Sequence, residues 1–295
     1  MSNLIQGRII EGRGGFYTVE DEQKNRHTLR ARGRFRIENI KPLVGDRVTF
    51  DPPQGEEEGW IEEILPRSSQ LIRPPAANIE LMLITVAPVP MVDLLLIDRM
   101  LVRARQENIQ CAIVYNKVEL NEDLGREIGR QYEEAGVSFF LVSALTTRGI
   151  EDVRKEMQGK LCCMAGQSGV GKSTLLNTLL GLELETGAVS AKTERGKHTT
   201  RHTTLIDQNG LTVLDTPGFS LLDLDKEMEP VDLKEFYPEF LPYDGQCYFQ
   251  PCYHETEPGC KVLEEVKEGT INAKRVERYH TLLGETKESW RGRYD

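Results

Sequence analysis

The chain has 295 residues, is 39% apolar and 28% charged, and carries a formal net charge of −10. That length supports two or three domains with cores of their own, and the acidic balance taken alone argues against a nucleic-acid partner. No apolar run approaches the roughly 20 residues that cross a bilayer, and the opening MSNLIQGRII lacks the apolar centre of a signal peptide, so a cytoplasmic chain with no membrane partner is expected.

Residues 1–66 read as β-rich. GGFYTVED, HTLRARGRFR, LVGDRVTF and GWIEEILP are short segments separated by Gly, Pro and charge, the spacing of a small barrel. The first 36 residues run against the acidic whole: Arg8, Arg13, Lys24, Arg26, Arg30, Arg32, Arg34 and Arg36 face only Glu11, Glu20, Asp21 and Glu22. Arg30, Arg32, Arg34 and Arg36 alternate, so a continuous strand would place all four on one face, where RNA phosphates would account for them; a solvated charged face is the bland alternative. Phe16, Tyr17 and Phe35 lie among them, as barrel core or as stacking surface. PRSSQLIRPPAAN then reads as a linker over 67–78, because its Pro pair forbids a helix.

From 79 the pattern changes. IELMLITVA is a buried-type strand, and DLLLIDRMLVRARQEN has helical spacing, with Leu94, Ile97, Leu101 and Ala104 on one face. IQCAIVYNK, EDLGREIGRQYEEAG, VSFFLVSAL, KLCCMAG and KSTLLNTLLG continue strand, helix, strand, strand, helix. The alternation predicts a parallel sheet covered on both faces. Cys111, Cys162 and Cys163 fall in its apolar runs as small hydrophobes.

Three stretches of this region carry chemistry. GQSGVGKST, residues 166–174, fits G-x-x-x-x-G-K-[ST] with a strand before it and a helix after it. Gly166, Gly169 and Gly171 let the backbone N–H groups of the Gln167, Ser168 and Val170 segment converge on phosphates. Lys172 reaches the β- and γ-phosphates, Ser173 offers a hydroxyl to Mg²⁺, and the helix opening at Ser173–Thr174 adds its positive end. LTVLDTPG places Asp215 at a strand end for Mg²⁺ and Gly218 for the γ-phosphate. In NKVE, Asn116 braces the phosphate loop, the stem of Lys117 stacks under a purine, and Glu119 accepts from N1–H and the 2-amino group of guanine, donors that adenine lacks. The usual residue at the last position is Asp. Ser143 and Ala144, at the end of the next strand, suit backbone contact with the guanine oxygen.

The order is unusual, with the base reader fifty residues before the phosphate loop. Joining the old ends of a GTPase and opening it elsewhere yields this order on the same sheet, and close surface termini make such permutation tolerable. On these motifs, and on a late Cys/His cluster, the chain resembles the RsgA-type (YjeQ-type) circularly permuted GTPases of bacterial small-ribosomal-subunit assembly. The resemblance covers nearly the whole chain. It implies an OB-fold at the N-terminus, a permuted α/β P-loop GTPase core and a small helical zinc-binding domain, with boundaries expected at 1–66, 79–222 and 223–295.

The position after D-x-x-G, where many GTPases hold a water-orienting Gln, is Phe219. His198, before Thr199 and Thr200 in RGKHTTRHTTL, resembles the switch histidine of the family, and a neutral imidazole can accept a hydrogen bond from water; a solvated loop residue is the alternative. Thr200 is favoured as the switch threonine on Mg²⁺, and His202 is a weaker candidate for the water. CYFQPCYHETEPGC places Cys247, Cys252, His254 and Cys260 within fourteen residues. A Cys₃His set matches a closed, structural zinc site that staples a region too small for its own core, and the spacing matches the family pattern. His280 reads as a surface residue. The expectation is a monomeric GTP hydrolase in late small-subunit maturation, using Mg²⁺ with GTP and stimulated by the subunit. Its rRNA contact falls near the decoding region, as the resemblance implies. An RNA-binding scaffold with little turnover is the alternative, and an ATP-using P-loop kinase is a third reading that NKVE opposes.

Overall fold

The structure, a computed structural model, describes residues 4–53, 57–72, 74–182, 203–215, 224 and 227–293. The N-terminal strands β1 (Ile5–Arg13), β2 (Phe16–Asp21), β3 (Arg26–Ala31), β4 (Arg47–Asp51) and β5 (Gly59–Ile64) run in the order β1-β2-β3-β5-β4. β4 pairs back on β1, from Ile5 opposite Phe50 to Arg8 opposite Arg47, which closes a five-stranded barrel. Ile9, Val19, Leu29, Val48, Phe50 and Ile61 fill it. Gly7 is required where β1 crosses the core, because a Cβ there would lie 2.6 Å from Val19 and 2.7 Å from the Glu20 carbonyl.

The expected strand through Arg36 does not form. β3 ends at Ala31, and a short helix α1 (Arg34–Ile37) follows Gly33. Phe35 turns inward, 5% exposed, and drives this turn, while Phe16 is 43% exposed rather than in the core. Arg34 and Arg36 therefore project from a helical turn beside the strand that carries Arg30. The segment read as a linker is an antiparallel hairpin, β6 (Gln70–Ile72) and β7 (Pro75–Ala77), with Leu71, Ala76 and Ala77 buried. Leu71 and Ala76, paired across the hairpin, join the core of the barrel and outweigh the prolines, which sit at the turn and at the first residue of β7 where a strand tolerates them.

The central sheet uses β8 (Leu81–Val86), β9 (Gln110–Tyr115), β10 (Ser138–Leu141), β11 (Leu161–Ala165), β12 (Thr204–Gln208) and β13 (Leu211–Asp215) in the order β10-β9-β8-β11-β13-β12. Five strands are parallel, whereas β12 runs antiparallel to β13 through a turn at Asn209 and Gly210, both at positive φ. Both faces are covered. Met82, Ile84 and Val86 pack with α2 (Leu94–Gln106) and α3 (Glu122–Gln131). Leu81 and Leu83 pack with α4 (Ile150–Met157) and α5 (Lys172–Leu180). The uniformly buried β8 is what a two-sided parallel strand requires. β12 also meets the barrel, with Thr204 opposite Glu11 of β1.

The C-terminal part ends in α6 (Lys261–Glu268) and α7 (Ala273–Arg291), and its core joins Tyr237, Phe240, Tyr279, Leu282 and Leu283 to the three late cysteines. Among the described residues no helix is long and apolar enough to cross a membrane.

Candidate functional site

The chain runs β8, β9, β10 toward one edge and then returns through β11 to β13 toward the other. The order reverses between β8 and β11, and a crevice opens beyond the carboxyl ends of such strands. Every nucleotide motif follows one of those ends: 116–119 after β9, 143–145 after β10, 166–174 after β11, and Asp215 at the end of β13. Segments far apart in sequence are thus gathered by the sheet.

The phosphate loop owes its shape to three glycines at positive φ, Gly166 (127°), Gly169 (83°) and Gly171 (90°). A Cβ on Gly166 would lie 2.0 Å from the Thr85 carbonyl, and one on Gly171 would lie 2.7 Å from Asn116 Nδ2. Space and conformation therefore both demand Gly at these two positions. Gly171 precedes α5, whose first turn holds Lys172, Ser173 and Thr174. Lys172 Nζ donates to the carbonyls of Gly166 (2.7 Å) and Gln167 (2.6 Å), which curls the side chain over the loop, and partial burial lowers its pKa. Ser168 is exposed, and Val170 anchors the loop from beneath.

Asn116 joins the pieces. Its Nδ2 donates to the Val170 carbonyl at 3.0 Å, and its Oδ1 accepts from the Ala144 N–H at 3.1 Å. One buried amide thereby fixes the phosphate loop, the base reader and the segment after β10. Lys117, at φ 60°, extends along the loop and donates to the carbonyls of Gly169 (2.7 Å) and Val89 (3.1 Å). Glu119 is exposed beside it, in the single turn Val118–Leu120. Ser143 is fully buried, and its hydroxyl accepts from the Thr146 N–H at 3.1 Å, so its side chain shapes the turn. Sequence reasoning missed Gln167 Oε1, which accepts from the Asp93 N–H at 3.2 Å and ties the phosphate loop to the start of α2. His198, Thr199, Thr200, His202, Gly218 and Phe219 lie outside the described residues.

The late cluster assembles as read. Cys247, Cys252, His254 and Cys260 are all buried, and their ligand atoms lie within 4.8 Å of one another. His254 Nδ1 stands 3.6 Å from Cys247 Sγ and 3.3 Å from Cys260 Sγ, and those two sulfurs are 3.9 Å apart. Zinc–sulfur bonds of about 2.3 Å in a tetrahedron separate sulfurs by roughly 3.8 Å, so this donor set fits zinc. Burial lowers His254 to about 4, which leaves the imidazole neutral, its ligating form, and raises the Cys252 thiol, so that a bound cation would be what draws it into the thiolate form. Backbone N–H groups of His254 and Lys261 point at Cys252 and Cys247 sulfurs, each at 3.4 Å. His280 is no free surface residue: its Nε2 donates to the His254 carbonyl at 2.7 Å, and Tyr279 Oη donates to that of Tyr253, also at 2.7 Å. α7 thus holds the loop in place.

A third set of contacts fastens this knot to the sheet. Arg275 of α7 is 2% exposed and pairs with Asp98 of α2 (2.5 Å) and with Glu239. Arg278 reaches the other Asp98 oxygen at 2.5 Å. Burial alone would lower the Arg275 pKa, but Asp98 and Glu239 overcome it and hold the guanidinium charged.

Fold and site together define a P-loop GTPase whose motifs run in circularly permuted order, flanked by a β-barrel and a Cys₃His domain. Comparison with known proteins agrees. A profile of the RsgA GTPase family matches residues 64–225, and one of the RsgA N-terminal domain matches residues 6–61. The chain is 42% identical over 281 residues to the small ribosomal subunit biogenesis GTPase RsgA of Ruminiclostridium cellulolyticum, covering 94% of this chain and 92% of that one. It is 40% identical over 297 residues to the protein of the same name from Halalkalibacterium halodurans, covering 99% and 100%. Among solved structures, YjeQ from Thermotoga maritima superposes with a TM-score of 0.82 at 34% identity, covering 96% of this chain and 98% of that one. YloQ, described as a circularly permuted GTPase, superposes with a TM-score of 0.81 at 31% identity, covering 97% and 96%. The chain belongs to the RsgA GTPase family and is a GTP-hydrolysing enzyme.

Proposed function

We propose that this GTPase acts on the small ribosomal subunit during its late maturation, as a cytoplasmic monomer that docks with GTP and leaves after hydrolysis. The observation that carries this reading is the likeness, over almost the full length, to relatives named for small ribosomal subunit biogenesis. It spans the barrel and the metal knot as well as the core, and those two parts are where a large partner would be gripped.

In the nucleotide site, Lys172 and the N-terminus of α5 take the phosphates, and Glu119 reads the guanine edge. The Ser173 hydroxyl and the Asp215 carboxylate would offer hard oxygens to Mg²⁺, and Thr200 is the switch residue proposed to join them. That ion would neutralise charge on the β- and γ-phosphates. His198 orients the attacking water, since Phe219 cannot. Cys247, Cys252, His254 and Cys260 would hold zinc in a structural role, because four protein ligands leave no open position. Arg30, Arg32, Arg34 and Arg36 grip rRNA phosphates.

The test is co-sedimentation with purified small subunits. Retention with a non-hydrolysable GTP analogue and release with GDP are expected. Equal retention in both states would overturn a docking cycle governed by nucleotide.

A further inference from the structure

The barrel surface contains a row of three side chains in register across three strands. Phe16 of β2 lies opposite Arg30 of β3, and Arg30 lies opposite Trp60 of β5. The row lines a cleft of about 680 Å³, whose lining also includes Arg36 and Lys41. Among the described residues no carboxylate lines this cleft, in a chain whose net charge is −10. The Arg30 guanidinium sits 4.6 Å from the Phe16 ring centre, and that of Arg32 sits 4.9 Å from the Trp60 ring centre. Arg30 pairs with Glu58, an exposed pair of the kind that yields readily to a stronger anion, while Arg32 is held by the partly buried Glu62. Arg36 and Lys41 join no ion pair among the described residues.

Phosphate contact alone does not require this arrangement. Four cations on a flat face would serve a duplex backbone. An exposed phenylalanine at a strand end and a tryptophan two strands away, with the Arg30 side chain in register between them, form a row of flat groups along the cleft wall on which a planar group entering the cleft can stack. Guanidinium planes beside aromatic rings extend such a stack. A base locked in a duplex cannot present its face there, whereas an unpaired one can.

We propose that this cleft binds a single unpaired nucleotide of RNA, its base stacked among Phe16, Arg30 and Trp60 and its flanking phosphates on Arg36 and Lys41. The inference rests on the reading of the barrel as an RNA-binding surface and narrows it to a single-stranded element.

The chain has two tryptophans, Trp60 and Trp290, so full-length protein carrying Trp290→Phe reports on Trp60 alone. This protein is titrated, at one salt concentration, with a short unstructured RNA and with the same sequence as a duplex. The single strand is expected to quench Trp60 emission and the duplex is not. Phe16→Ala should weaken the single strand about tenfold, the order of one lost stacking partner, leave the duplex unchanged, and be rescued by Phe16→Tyr. Arg36→Ala should weaken both RNAs. Binding of both RNAs with equal affinity, no quenching and no effect of Phe16→Ala would overturn the base pocket and leave a phosphate-gripping barrel. Failure of both RNAs to bind would overturn the RNA reading itself.

Discussion

Replacing Asp98 with Asn tests how the metal-binding part is held on the GTPase core. Asp98 is fully buried on α2 and receives Arg275 and Arg278, both from α7. With Glu239 as second acceptor for Arg275, two carboxylates balance two guanidiniums. The amide has nearly the shape of the carboxylate, so packing is preserved and the cost is electrostatic. The cluster is left with one uncompensated positive charge beneath Tyr132 and Tyr237, whose rings lie 5.0 and 4.8 Å from the Arg275 guanidinium carbon. Breaking a buried pair from one side costs about 3–5 kcal/mol. For a unit of this size, about 2–4 °C of melting temperature per kcal/mol gives a fall of about 6–20 °C. Calorimetry, with limited proteolysis to show whether the C-terminal part detaches first, reads the effect. Arg99→Ala is the control. Its partner Glu285 is 41% exposed, and a rim pair of that kind is worth about 0–1 kcal/mol. If Asp98→Asn cost no more than Arg99→Ala, the cluster would not be what fastens α7 to α2.

Three further outcomes follow from the geometry. If Glu119 reads guanine as proposed, Glu119→Ala should cost two charge-assisted hydrogen bonds and weaken GTP on the order of 100-fold or more while leaving weak ATP binding unchanged, as read by calorimetric titration; an unchanged GTP affinity would remove Glu119 from base reading. With zinc in the Cys₃His site, as proposed, a strong chelator should unfold the C-terminal part and expose Cys247, Cys252 and Cys260 to thiol reagents, whereas Cys163, buried in the sheet, stays protected; equal protection before and after chelation would contradict a structural metal. The His27 hydrogen bond, with those of Asn25 and Gln23, lowers Asp21 from 3.8 to about 2. A depressed carboxylate stabilises the fold above its unfolded pKa and loses that contribution as pH falls through the folded one. Barrel stability should therefore decline between about pH 4 and pH 2, and Asp21→Asn should flatten that limb of the acid titration; an identical limb in the variant would contradict the assignment.

The nucleotide and metal sites were legible because each piece of their chemistry sits in a short contiguous stretch. GQSGVGKST, NKVE and CYFQPCYHETEPGC carry their own spacing, and the sheet only had to gather them. Position on secondary structure was less legible. Arg34 and Arg36 alternate like strand residues, but Phe35 between them finds its burial through a helical turn after Gly33. β12 was missed although Asn209-Gly210 is the strongest short signal for a hairpin, here with both residues at positive φ. The hairpin at 70–77 was masked by its prolines. The Asp98–Arg275–Glu239 cluster left only a trace, a carboxylate inside the apolar face of LLLIDRM, because the partners of Asp98, Arg275 and Arg278, lie 177 and 180 residues away. Gln167 and His280 act through single hydrogen bonds to backbone groups, which no spacing rule records.

Steady-state GTP hydrolysis, with and without purified small ribosomal subunits, tests the central claim most directly, and His198→Ala run alongside separates function from mechanism. The account predicts slow turnover alone, strong stimulation by small subunits, none by large subunits, and loss of that stimulation in the variant. Absence of stimulation, with GTP still tightly bound, would contradict a subunit-activated hydrolase. Stimulation that survives in the variant would keep the function and remove His198 from positioning the water.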